Sequence, residues 1–94
     1  MGNLHSELVS EGEWDALREN LSLSPRQADI VYRLLHAKSD NEIARELDIS
    51  VPTVRTYMTR MFQKFAVKDR VELLVYVFTS LRSIGQSVTS PSED

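Results

Sequence analysis

Cysteine is absent from the 94 residues. That excludes a disulfide framework, a thiolate zinc site and a thiol nucleophile. Long apolar runs are missing too. The longest covers residues 73–78, where a membrane span needs about 20 residues. No basic segment followed by an apolar stretch opens the chain, so no signal peptide is read, and the expected location is the cytoplasm. The alternating pattern of a strand is not found. Histidine occurs twice, as His5 and His36, and neither has a partner at ligand or triad spacing. His36 suits the C-terminal end of a helix, where a cation favours the dipole. Glu42 and Glu46 stand four apart on one short helix with no basic or electrophilic group beside them. No metal, cofactor or catalytic site is expected, and the chain is not read as an enzyme.

Excess positive charge is also lacking, since the formal net charge is -3. Read alone, that argues against a nucleic-acid partner. Read by segment it does not. Residues 1–22 hold Glu7, Glu11, Glu13, Asp15 and Glu19 against Arg18, and the end adds Glu93 and Asp94. Residues 23–83 carry ten Lys/Arg against seven Asp/Glu. Within 51–68 there are Arg55, Arg60, Lys64 and Lys68 and no acid at all. The acidic total hides one basic strip.

What is present is helical punctuation. Residues 1–9 have little periodicity and are expected to fray. A short additional helix fits 10–21, with Trp14, Leu17 and Leu21 on one stripe and Glu11 and Glu13 in its first turn. Ser24-Pro25-Arg26-Gln27 combines a hydroxyl cap, a first-turn proline and a Gln three residues on. The helix behind it carries Ile30, Val31, Leu34 and Leu35. Ser39 and Glu42 form a second capping box, ahead of Ile43, Ala44 and Leu47. Asp48-Ile49-Ser50 ends that helix and caps the next, in which Pro52 is tolerated in the first turn. This third helix puts Val51, Val54, Met58, Met61, Phe62 and Phe65 on one face. Asp69 and Glu72 open a fourth, running to about Ser83. The last stretch, 84–94, is Ser-rich and is expected to be disordered. The organisation is therefore an acidic segment over 1–22, an all-α four-helix domain over 23–83 and a disordered tail over 84–94.

The second and third domain helices are about three residues apart, so they must cross steeply, as a helix-turn-helix. The outer face of the third helix then holds Pro52, Thr53, Arg55, Thr56, Thr59, Arg60, Gln63 and Lys64. It carries cations, hydroxyls and an amide, and no carboxylate. Such a face suits the major groove, where Arg bonds guanine bidentately and the Thr methyl touches thymine. Flanking cations and the helix N-termini at Ser39, Ser50 and Asp69 suit phosphate.

Four motifs then fall in order. They are Leu-Ser-Pro-Arg-Gln at 23–27, Asn-Glu-Ile-Ala-Arg-Glu-Leu at 41–47, Ile-Ser-Val-Pro-Thr-Val-Arg-Thr-Tyr at 49–57 and Asp-Arg-Val-Glu-Leu at 69–73. Together, over about 23–78, they resemble the LuxR/NarL/GerE-type helix-turn-helix domain of bacterial transcription regulators. The resemblance implies four helices, the third reading the major groove of double-stranded DNA and the fourth forming a homodimer on a two-fold operator. It implies that Arg55, Thr56 and Thr59 face bases or adjacent phosphates, that Thr53 contacts phosphate, and that Lys64 and Arg70 touch the DNA backbone. Arg60 flanks them as a positioning cation. It also implies that Glu42 is structural.

The chain departs from that pattern. Glycines usual after the first helix, in the turn and after the third helix are replaced by Ala37, Asp48 and Ala66. Either the backbone keeps positive φ there, at roughly 1 kcal/mol for each non-glycine and less for Asp, or the turns shift by a residue. The family's Lys in the second helix is Asn41 here, and its common His in the third is Tyr57, so phosphate contacts are fewer than usual.

The fourth helix is apolar nearly all round, and its outer face needs a cover. A second copy packing on Val71, Val75 and Phe78 competes with the Trp14/Leu17/Leu21 helix folding back, and the dimer is favoured. The function expected is sequence-specific transcription regulation, with RNA polymerase as a further partner and no membrane. A sigma-factor-like promoter-reading domain, and an interaction module that kept the fold but lost DNA affinity, are the other readings. The starting Met and the flanks favour a free-standing small regulator over a fragment.

Overall fold

The structure, a computed structural model, describes residues 9–89, with side chains described for 9–85. Expectations placed on residues 1–8 and 90–94, His5 among them, lie outside the described residues. Five helices follow one another: α1 Glu11–Asn20, α2 Pro25–Leu35, α3 Asp40–Leu47, α4 Val51–Phe65 and α5 Arg70–Thr89. No strand occurs among the described residues. No helix of the described residues is long and apolar enough to cross a membrane.

The helix starts follow from local side-chain chemistry. Ser24 Oγ accepts the Gln27 N–H at 3.2 Å, and Gln27 Oε1 accepts the Ser24 N–H at 3.0 Å. Ser39 and Glu42 repeat this reciprocal bond at 3.1 and 2.8 Å. Glu42 is thus the structural glutamate expected from the sequence. A third box, Ser10 with Glu13, opens α1 at 3.1 Å in both directions. Each cap stabilises its helix by about 1 kcal/mol. Ser50 caps α4 through the Thr53 N–H at 3.2 Å. At α5 the expected box is broken: Asp69 Oδ1 accepts the Glu72 N–H at 2.9 Å, but Glu72 Oε1 takes the Lys68 N–H at 2.7 Å.

The helix ends share one device. After each of the first four helices a residue in the left-handed region turns the chain: Ser22 at φ 53°, Ala37 at 61°, Asp48 at 58° and Ala66 at 58°. The following residue donates back across the last turn, Leu23 to Arg18 O, Lys38 to Arg33 O, Ile49 to Ala44 O and Val67 to Phe62 O, at 2.9–3.0 Å. This is the Schellman arrangement, which favours glycine at the left-handed position. The three family glycine positions therefore keep their positive φ with other residues in place, and the turns do not shift. The apolar residues that follow, Leu23, Ile49 and Val67, pack against the core and fasten three of the ends.

One core joins all five helices. Leu17, Ile30, Ile43, Met61, Leu73, Val31, Val54 and Val77 are fully buried, and no polar or charged residue is buried among the described residues. Truncating a buried Leu or Ile here to Ala costs about 2–5 kcal/mol. Leu17 and Leu21 bring α1 into this core against α5. Trp14, half-buried, meets Tyr32 of α2 edge to face at a centroid distance of 5.3 Å. The division at residue 22 is thus one of charge, not of packing.

α5 runs to Thr89, past the expected stop near Ser83. Leu81 and Ile84 continue the inward stripe of Leu73, Leu74 and Val77 onto the core. Residues 84–89 belong to the stretch 84–94 that the sequence reads as a tail. α1 covers one side of α5 only. Val71, Val75 and Phe78 stay exposed, so the N-terminal helix and a second copy do not compete for one face.

Candidate nucleic-acid interface

α3 and α4 pack on each other across a three-residue turn, Asp48, Ile49 and Ser50. Val54, Met58 and Met61 of α4 point into the core, which fixes the opposite side outward. Arg55, Thr56, Thr59, Arg60 and Gln63 line a shallow open depression on that side. All five are exposed. The sequence-derived cluster is therefore brought together on one surface, with Gln63 at its far end.

The individual side chains are less equivalent than their spacing implies. Thr53 is half-buried, and its Oγ1 lies 2.8 Å from Ser50 Oγ, so one of the two hydroxyls donates to the other. Thr56 donates its hydroxyl to the Pro52 carbonyl at 3.0 Å. That bond spends the proton within the helix and leaves the hydroxyl as an acceptor beside its methyl. Thr59 and Arg60 face solvent. Lys64 turns away: its ammonium donates to the Ser22 carbonyl and lies 3.3 Å from Gln27 Oε1. It holds the α1–α2 turn instead of extending the open face.

Arg70, from the start of α5, is brought beside Arg55 by a residue that sequence reasoning passed over. Asp40, the first residue of α3, accepts from Arg55 Nε at 3.3 Å on one oxygen and from Arg70 Nη2 on the other. Asp40 is 22% exposed, Arg70 38% and Arg55 69%. The three line a second depression with Met58, Thr59 and Phe62 that adjoins the first. In the sequence Asp40 reads only as an acid favouring the α3 dipole. Its partners stand 15 and 30 residues away, beyond any local pattern.

Away from this face, Glu46 accepts from Arg33 at 2.8 Å and from Lys38 at 2.9 Å. The lysine and then the arginine hold its carboxyl below the usual carboxylate range. His36 donates from Nδ1 to the Tyr32 carbonyl at 2.8 Å, at the end of α2 as expected. No group of three or more His, Asp or Glu side chains that could hold a metal occurs among the described residues.

Residues 21–77 match the GerE family, described as bacterial regulatory proteins, luxR family. The match begins just after α1 and omits all of it. Over 64 residues, 68% of the chain, it is 39% identical to a probable csgAB operon transcriptional regulatory protein of Salmonella typhimurium, covering 30% of that protein. Over 75 residues, 80% of the chain, it is 36% identical to the transcriptional regulatory protein LiaR of Bacillus subtilis, covering 35% of it. Over 60 residues, 64% of the chain, it is 37% identical to the nitrate/nitrite response regulator protein NarL of Escherichia coli, covering 28% of it. The matched stretch thus spans about a third of the length of these curated relatives. No solved structure gives a significant match.

Proposed function

Since the chain belongs to the luxR family of bacterial regulatory proteins, a family of transcription regulators and not of enzymes, we propose that it binds double-stranded DNA and regulates transcription with α4 in the major groove. The observation that carries this reading is the outer face of α4: Arg55, Thr56, Thr59, Arg60 and Gln63 in one open depression, on a stretch that holds no acid from 51 to 68. Core packing of Val54, Met58 and Met61 turns that face outward, which supports this reading. Arg55, Thr56 and Thr59 read base edges, while Arg60 and Arg70 meet phosphates. Thr53 and Lys64 contribute there mainly by holding the helix start and the α1–α2 turn. The names of the relatives, all transcriptional or response regulators, support the reading.

The finer form of the proposal is a homodimer in the cytoplasm, joined through Val71, Val75 and Phe78. Each copy places one α4 in a half-site, with half-sites about one helical turn apart. RNA polymerase is the further partner in this scheme.

Selection of bound duplexes from a random pool tests DNA binding, symmetry and spacing together. The expected result is a two-fold site whose affinity falls steeply as salt rises, with Arg55→Ala weakening it about tenfold or more, the loss of one bidentate contact. Failure to recover any duplex at low salt would hand the fold to protein interaction instead.

A further inference from the structure

Asp40 places a carboxylate at the edge of the acid-free face, and it is the meeting point of two helices. Its two oxygens are shared between Arg55 of α4 and Arg70 of α5. The atom that Arg55 commits is Nε, the donor nearest its stem. Both Nη groups, with four of the five guanidinium N–H bonds, take no part in that bond. A guanidinium held in this way loses the freedom to sweep across the groove, while the fork that bonds guanine or phosphate stays available.

The same carboxylate has a second effect. It offsets one of the two positive charges that α4 and α5 bring together. Attraction to phosphate in general depends on that sum, whereas contact with one base depends on where the fork is aimed. Lower general attraction and better aim act in the same direction on the ratio of specific to non-specific affinity, which is what discrimination means thermodynamically.

We infer that Asp40 is a specificity-determining positioning residue: it aims Arg55 at the operator, holds Arg70 beside it and weakens their attraction to other DNA. This rests on the DNA-binding reading above.

The test compares the full chain with Asp40→Asn and Asp40→Ala on two probes, the tightest duplex recovered by selection and the same bases shuffled. Asn keeps the shape and one acceptor oxygen and removes the charge. The expected result for Asp40→Asn is tighter binding to the shuffled duplex by a factor of about 3 to 10. The log–log salt dependence should steepen by about one. The selected duplex should gain less, so the affinity ratio falls at least about threefold, and further in Asp40→Ala, where both bonds are lost. Equal tightening on both probes, with the ratio unchanged, would overturn the positioning role. Wild-type chain that binds neither probe would overturn the DNA reading itself, a failure visible before any variant is made. If Asp40→Ala melts too low to assay, Asp40→Asn carries the comparison.

Discussion

Lys64, in the last turn of α4, donates its ammonium to the main-chain carbonyl of Ser22, the left-handed residue between α1 and α2. The bond ties the start of the domain to the far end of the helix proposed to read DNA. A charged donor on a carbonyl is worth more than a neutral pair, but this one is exposed, so about 0.5–1 kcal/mol is the reasonable size. Lys64→Met keeps the apolar stem and removes the charge. It should lower stability in a denaturant titration by that amount and reduce DNA affinity less than Arg60→Ala does. Unchanged stability with a large loss of affinity would show Lys64 to be a phosphate contact, as the family resemblance implies.

Ala37 and Ala66 sit at φ 61° and 58°. A Cβ there costs about 1–2 kcal/mol, and glycine returns part of the gain as unfolded-state freedom. Ala37→Gly and Ala66→Gly should each stabilise the chain by about 0.5–1 kcal/mol, raising Tm by roughly 4 °C each. Asp48→Gly should do less, since Asp tolerates this region better. The two sites lie at different helix ends, so the gains should add. A lower Tm in both glycine variants would refute the strain.

Which features were legible in the sequence follows from their range along the chain. Ser24 with Gln27 and Ser39 with Glu42 are three apart, and the stripes of Ile30, Val31, Leu34 and of Val54, Met58, Met61 repeat with the helical period, so both could be read directly. The open face of Arg55, Thr56, Thr59 and Arg60 follows from that periodicity. The bonds of Asp40 to Arg55 and Arg70, and of Lys64 to Ser22, join residues 15 to 42 positions apart. Only the assembled packing sets them. The stripe of Leu17 and Leu21 was readable, but not that α5 would receive it while leaving Val71, Val75 and Phe78 open. The end of α5 is less legible, since past Leu81 and Ile84 the sequence shows no clear stop. At Gly85 the two helices come close: a Cβ there would stand 3.5 Å from Glu13 Oε2.

Glu46 gives a pH dependence of known sign. Lys38 first and Arg33 second hold its pKa below the ordinary glutamate value. A depressed carboxyl stabilises the fold above its ordinary pKa, and that contribution is lost as pH falls through the depressed value. Glu46→Gln should therefore be less stable than wild type at neutral pH. The difference should shrink below about pH 4 and vanish in stronger acid. Urea midpoints measured from neutral to strongly acidic pH check this. A difference that does not change with pH would place the effect in packing, not in charge.

Val71, Val75 and Phe78 are 68%, 59% and 40% exposed and stand four and three residues apart on one side of α5. Three side chains bury little area, so the dimer proposed through them should be weak in solution, at micromolar Kd or above. On a two-fold site the DNA itself holds two copies close, and the same contact then acts at high effective concentration. Val75→Glu should abolish the concentration dependence seen in sedimentation, with Tm unchanged because the residue is exposed. It should weaken binding to a two-fold duplex about tenfold or more and leave a single half-site unaffected. Wild-type chain that sediments as a monomer at every concentration, and binds the two-fold duplex no better than twice the half-site, would leave this strip to a different partner.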